Sequence, residues 1–192
     1  MMRSKSADTI RARVNVYHST RGRIYDCIST FILLTIKNYL LHPGQGPYMT
    51  VRAIDVADYI LQKHGAMSSL KLQKLTYYSQ AWHLVWEDKE LFEEEIQAWA
   101  NGPVVPALHK IHQGIFKLDP GFFSGDIARI PDTSKDVIDR VLKFYGDKDA
   151  QWLSDLTHME EPWKRARVGL ADGERGNSII SIESMADYYS SL

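Results

Sequence analysis

The chain has 192 residues, with 44% apolar and 24% charged side chains and a formal net charge of −1. That length suits one domain plus an appendage, and the near-neutral charge excludes an electrostatic case for nucleic acid as the main partner. The single cysteine, Cys27, excludes a disulfide framework and a cysteine-based zinc site, and it fits a reducing compartment such as the cytoplasm.

The charge is unevenly spread. Residues 1–48 carry seven Lys/Arg against Asp8 and Asp26, whereas residues 49–192 carry 16 Lys/Arg against 22 Asp/Glu. The first stretch is basic from Arg3 to Arg23 and then apolar from Ile24 to Leu41. It does not read as a signal peptide: the basic part is too long, Asp26 and Lys37 bracket the apolar run, and no small-x-small site follows. The run is also short of the roughly 20 residues that cross a bilayer, so no membrane partner is expected. His42-Pro43-Gly44-Gln45-Gly46-Pro47 is a breaker cluster of linker type. Residues 1–48 therefore read as an extension with little fixed structure, as from a start codon placed too early. An added helix over Ile24–Leu41 packed on the domain, or a membrane-associating segment, are the alternatives. The domain itself is expected over 49–192.

Ile54, Ala57, Ile60 and Leu61 share one helical face, and Gly65 can end that helix in the left-handed conformation. Ser68 or Ser69 can cap the next helix, about Leu70 to Glu87. There Leu72, Leu75, Ser79, Trp82 and Trp86 make one stripe, which Tyr78, Ala81 and Val85 widen, as in a helix central to a core. Ile96, Ala98 and Ala100 alternate with Gln97, Trp99 and Asn101, the period of a short strand, with Leu91-Phe92 as its expected partner. Asn101-Gly102-Pro103 breaks the chain, and Pro106 suits the first turn of a helix with Leu108, Ile111 and Ile115 on its face. Residues 117–133 read as a loop. Ser134 can cap a helix with Val137, Ile138, Val141, Leu142 and Tyr145, ended by Gly146. Asp149 can cap another with Trp152, Leu153 and Leu156 inside, which Pro162 should kink or end. Gly169 to Asn177 should be exposed, and Ser181 opens a last helix with Ile182, Met185 and Tyr188/Tyr189. The fold class is mainly α: a compact multi-helix domain with one short β-hairpin, and no strand–helix alternation of a doubly wound sheet.

Candidate chemistry is sparse. His109 and His112 share a helical face and could meet a metal with His83, His158 or Glu160 as third ligand, but the spacing fits no zinc motif and both read as surface residues. His158 and Glu161 could face one another as an acid–base pair or as a local ion pair. No nucleophilic serine sits in a strand–turn–helix context, and no phosphate loop is present. No catalytic residue, cofactor or metal is therefore assigned. Asp88 to Glu95 is an acidic cluster, either a solvated face or an attractor of a basic partner. Lys164, Arg165 and Arg167 form a basic cluster too small for DNA binding. Trp99, beside a proline-rich break, is the tryptophan expected nearest the surface, where an aromatic side chain can anchor a partner.

Three ordered strings carry a resemblance. Leu70-Lys71-Leu72-Gln73-Lys74-Leu75-Thr76-Tyr77-Tyr78-Ser79-Gln80-Ala81-Trp82-His83 resembles the opening helix signature of the SocA-like antitoxin family, also called Panacea and often a phage-associated protein. Leu91-Phe92 and Ile96-Gln97-Ala98-Trp99, followed by Asn101-Gly102-Pro103-Val104-Val105-Pro106, resembles its second signature. Tyr145-Gly146, then Leu153-Ser154-Asp155-Leu156-Thr157-His158 with Pro162-Trp163, resembles its third. The resemblance implies a cytoplasmic antitoxin from a toxin–antitoxin system, encoded on a mobile or prophage element. It would be no enzyme, would need no cofactor, and would neutralise a cognate protein toxin by binding, or by handing it to a protease. Leu72, Gln73, Lys74, Leu75, Tyr78, Trp82, Gly102, Pro103, Pro106, Leu153, Thr157, His158, Pro162 and Trp163 would be scaffold, with Gly102-Pro103 a fixed turn. Toxin contact is expected at Glu93, Glu94, Glu95, Trp99, Val104 and His109. The alternatives are a metal-dependent hydrolase using His109, His112 and His158, or a phage-encoded adaptor or regulator.

Overall fold

In the computed structural model, which describes residues 50–171 and 173–192, the first described helix, α1 (Ala53–His64), opens on a charged clamp. Arg52 donates its backbone N–H and its guanidinium to the buried Asp55 carboxylate at 3.0 and 2.7 Å, and the Asp126 N–H donates to the same group at 2.8 Å. Glu94 of the acidic cluster accepts from the Ala53 N–H at 3.1 Å, meeting one of the donors that a helix start leaves open. Gly65 ends α1 with φ 92° but an extended ψ of −170°, not the left-handed cap expected.

The chain continues through β1 (Met67–Ser68), α2 (Ser69–Glu87), β2 (Gln97–Trp99), β3 (Gly102–Val104), α3 (Pro106–His112) and β4 (Lys117–Leu118). After a 3-10 turn (Ile127–Arg129) come α4 (Asp132–Tyr145), α5 (Ala150–Met159), α6 (Glu161–Ala166) and α7 (Ile182–Ser190). The described residues are thus mainly helical, with two small antiparallel two-stranded sheets, β1–β4 and β2–β3. The extension 1–48, including Ile24–Leu41, lies outside the described residues. None of the described helices is long and apolar enough to cross a membrane.

Three of the expected side-chain caps are found. Ser68 accepts from the Lys71 N–H at 3.3 Å to start α2, Asp149 accepts from the Trp152 N–H at 2.7 Å to start α5, and Ser181 accepts from the Ser184 N–H at 3.1 Å to start α7. Pro106 occupies the first turn of α3, and α5 ends before Pro162, which lies in the first turn of α6.

Other expectations are corrected. The partner of β2 is β3, not Leu91-Phe92, with Ala98 facing Pro103 and Trp99 facing Gly102; the turn is Ala100-Asn101, so Gly102-Pro103 belongs to a strand. Ser178–Ile180 extends this unit from the other side, the Ala98 N–H donating to the Ser178 carbonyl at 2.8 Å. Residues 117–133 are no plain loop, since they hold β4 and the 3-10 turn. α4 starts at Asp132, and Ser134 is a buried residue within it, not its cap. Trp86 and Trp152, expected on inner faces, are 41% and 42% exposed.

α2 is the centre of the domain, packed against α1, α4, α5, α7 and β3. Leu72, Leu75, Tyr77, Tyr78 and Ala81 are fully buried, and Trp82 packs from the edge of the core, its indole N–H donating to the Tyr145 hydroxyl at 3.2 Å. A helix enclosed on nearly every side must also find partners for its polar side chains, and here they clamp neighbouring backbone. The Gln80 amide oxygen accepts from the Leu91 and Phe92 N–H groups at 2.9 and 3.2 Å, while its nitrogen donates to the Phe92 carbonyl at 3.1 Å. His83 bridges the Lys89 carbonyl (2.8 Å) and the Ser134 hydroxyl (2.9 Å). This explains why Leu91 and Phe92 are buried without forming a strand: a side chain supplies the pairing a strand would have given.

Gln80→Leu would leave two N–H groups and one carbonyl buried without partners. At about 1–3 kcal/mol for an unmet buried group, with some local relaxation, the expected loss is about 3 kcal/mol in urea unfolding. A loss under about 1 kcal/mol would show that the clamp is dispensable.

Candidate functional site

The hairpin β2–β3 and helix α3 form one wall of a groove of about 900 Å³, and the segment Arg175–Asn177 lies on another. Its shape follows from four anchors. The first is Gln73, whose side-chain oxygen accepts from the Val105 N–H at 2.8 Å, directly before Pro106 starts α3. That contact turns the amide nitrogen toward His112 Nε2, 2.9 Å away. Two nitrogens can share a hydrogen bond only if one accepts, so His112 is neutral with its proton on Nδ1. Burial likewise holds the His112 pKa below its usual value, and at 4% exposure it is no surface residue as expected.

The second anchor is Lys74, fully buried, whose ammonium donates to the Pro103 carbonyl at 3.0 Å. Burial pushes its pKa down to about 7, because an ammonium stripped of water is disfavoured against the neutral amine. Gly102 makes room for it: at φ 95°, a β-carbon there would lie 2.7 Å from Lys74 Cε and 2.6 Å from Thr157 Oγ1. The third anchor is Trp163, whose indole N–H donates to the Trp99 carbonyl at 3.0 Å while its ring stacks on His158 at 4.2 Å. The fourth is Arg167, a member of the expected basic cluster that is instead buried. It donates to the carbonyls of Ala98 (3.0 Å) and Glu174 (2.7 Å), tying the segment after α6 to the hairpin.

Trp99, Val104 and His109, three of the expected contact residues, all line this groove. The Trp99 ring meets the His109 ring edge-on at 4.7 Å, and His109 meets His112 at 5.2 Å. Glu93 and Glu94 line a separate, smaller recess with Thr50–Arg52, and Glu95 is exposed and lines neither. Glu94 also holds the start of α1, so the acidic cluster is partly structural. Ile111, Ile115 and Phe116 are 48%, 41% and 79% exposed; the expected apolar face of α3 is buried only at Leu108, and Ile115 and Phe116 instead form the groove's outer lip.

The expected scaffold residues are mostly interior. Leu72, Gln73, Lys74, Leu75, Tyr78, Gly102, Pro103, Leu153, Thr157 and Pro162 are buried, and Trp82, Pro106, His158 and Trp163 are half-buried. His158 and Glu161 do not face one another as a pair: His158 stacks on Trp163, and Glu161 pairs with Lys164 and Arg165. The carboxylate that matters is the adjacent Glu160, which accepts from the hydroxyls of Tyr189 (2.7 Å) and Tyr78 (3.2 Å) and docks α7 onto α2. Burial raises its pKa to about 7, against the lowering effect of the two hydroxyls. Among the described residues, no cluster of three or more His, Cys, Asp or Glu is arranged to hold a metal ion.

The sequence reading missed Phe116, Arg167 and Arg175 as groove determinants. Only Phe116 carried a signal, an aromatic residue just beyond Gly114, where a helical face would have to end.

Comparison with curated proteins returns no match, and comparison with solved structures returns none. A family model does match, from Leu72 in α2 to Lys164 in α6, a span that includes Gln73, Lys74, the hairpin, α3 and Phe116. At residues 72–164 this chain carries an antitoxin SocA-like, Panacea domain.

Proposed function

We propose that this chain neutralises a cognate protein toxin by direct, stoichiometric binding, with the groove beside Trp99, His109 and Phe116 as the contact surface. The observation that carries this reading is an antitoxin-family domain with an open groove whose lip is a phenylalanine 79% exposed. A large aromatic residue held out of the core is expensive to leave in water, and aromatic anchors in or beside pockets dominate many interfaces. The protein acts as a binder rather than an enzyme. The groove histidines are engaged by Gln73 and Trp99, and the Ser134–His83 hydrogen bond is sealed in the interior at 2% and 1% exposure. The acidic cluster, with Glu94 committed to α1, is secondary.

The test is co-expression with the product of the adjoining gene. That product should arrest growth alone and be harmless with this protein. Trp99→Ala and Phe116→Asp should each weaken the complex about 30-fold or more, as loss of a 2 kcal/mol anchor does, with thermal unfolding of the free protein little changed for the exposed Phe116. Toxin levels should persist during protection, which separates covering the toxin from handing it to a protease. A harmless neighbour, or variants that protect as well as the wild type, would overturn the proposal.

A further inference from the structure

The groove differs in charge from the average of residues 49–192. Residues 49–192 carry more acidic than basic side chains, yet among the described residues no Asp or Glu lines the groove. Its rim instead holds Arg175, exposed and forming no ion pair among the described residues. The neighbouring Glu174 is not ion-paired with it; that carboxylate accepts instead from the Ala171 N–H at 2.8 Å. Asn101 and Asn177 add exposed side-chain amides, which can donate to a carboxylate. The Ile115-Phe116 lip is apolar and exposed.

We infer that the groove receives a segment of the partner protein that carries an acidic side chain beside an aromatic or aliphatic one. This rests on the toxin-binding reading and specifies the chemistry of what the toxin presents there. The apolar side chain would lie between Trp99 and Phe116, and the carboxylate would meet Arg175 and the two asparagine amides. Charges farther away act through solvent and are screened beyond about 8 Å at physiological salt, so contact at the rim decides the preference. A basic segment would find no carboxylate among the described groove residues and would leave Arg175 facing a like charge.

A random twelve-residue peptide library displayed on phage and selected on the full-length protein tests this, with counter-selection on the Phe116→Asp variant. The enriched peptides should share Asp or Glu next to an aromatic or aliphatic residue. The tightest of them should bind the Arg175→Glu variant about fivefold more weakly, the scale of an exposed ion pair. Enriched peptides with basic residues or no charge bias, no Phe116-dependent peptides, or binding unchanged in Arg175→Glu would each overturn the inference. Failure of the toxin-binding reading looks different: acidic peptides would be selected while Trp99→Ala and Phe116→Asp still protected against the toxin.

Discussion

Gly102→Ala is expected to destabilise the domain by about 4 kcal/mol. Two independent terms add. At φ 95° an alanine sits in backbone space that side chains rarely enter, costing about 1–3 kcal/mol. Its β-carbon would also press to within 2.7 Å of Lys74 Cε and 2.6 Å of Thr157 Oγ1, and such overpacking typically costs another 1–3 kcal/mol. Neither neighbour can move freely: Thr157 donates to the Ser154 carbonyl at 2.7 Å, and Lys74 is held to Pro103. Gly65→Ala is the control, because its φ is 92° but nothing lies within 4 Å of the added carbon. Urea unfolding followed by tryptophan fluorescence should therefore rank Gly102→Ala well below Gly65→Ala. Equal losses would remove the packing term.

The second large effect is on the pH dependence of stability. Lys74 has a folded pKa of about 7 against 10.5 unfolded, so between those values the unfolded chain binds the extra proton. Stability from this group therefore rises with pH from about 7 to 10.5, and below 7 it is absent. Over the whole interval the gain is on the order of 5 kcal/mol. Lys74→Met should lose that rise and be more stable than the wild type at pH 6, less about 1 kcal/mol for the Pro103 carbonyl left without its donor. Glu160 runs the other way. Its folded pKa is about 7 against 4.5 unfolded, so its stabilisation is present below 4.5 and is lost as pH rises through 7, on the order of 3 kcal/mol. Glu160→Gln should abolish that fall. Burial also holds His83, His112 and His158 below the usual imidazole range, which adds a rise on the acid side, so the variants isolate each group better than the wild-type curve does. Urea midpoints at pH 5, 7 and 9 check both; a Lys74→Met protein that gains as much from pH 7 to 9 as the wild type would refute the account of Lys74.

What the sequence by itself determined is what short-range chemistry controls. The caps at Ser68, Asp149 and Ser181, proline in the first turn of α3, and the burial of Leu72, Leu75 and Tyr78 on α2 depend on neighbours within a few residues or on helical period. Of the contact residues expected from the resemblance, Trp99, Val104 and His109 line one groove, and Glu93, Glu94 and Glu95 do not line it. Tertiary structure decided the rest, because its determinants pair across distant sequence. Gln73 and Lys74 reach residues about 30 positions away, Tyr78 and Glu160 meet across 82, and Arg167 reaches back 69 to Ala98. A hydrophobicity pattern counts Gln73, Lys74, Glu160 and Arg167 as surface, yet each is buried because the opposing element supplies a backbone or hydroxyl partner in the interior. Leu91-Phe92 looked like a strand because burial and β-propensity were visible and the Gln80 side chain that replaces the missing strand was not. Phe116 and Arg175 became visible only once α3, the hairpin and the segment held by Arg167 had closed around one groove. An open surface is what remains when the packing of everything else is complete.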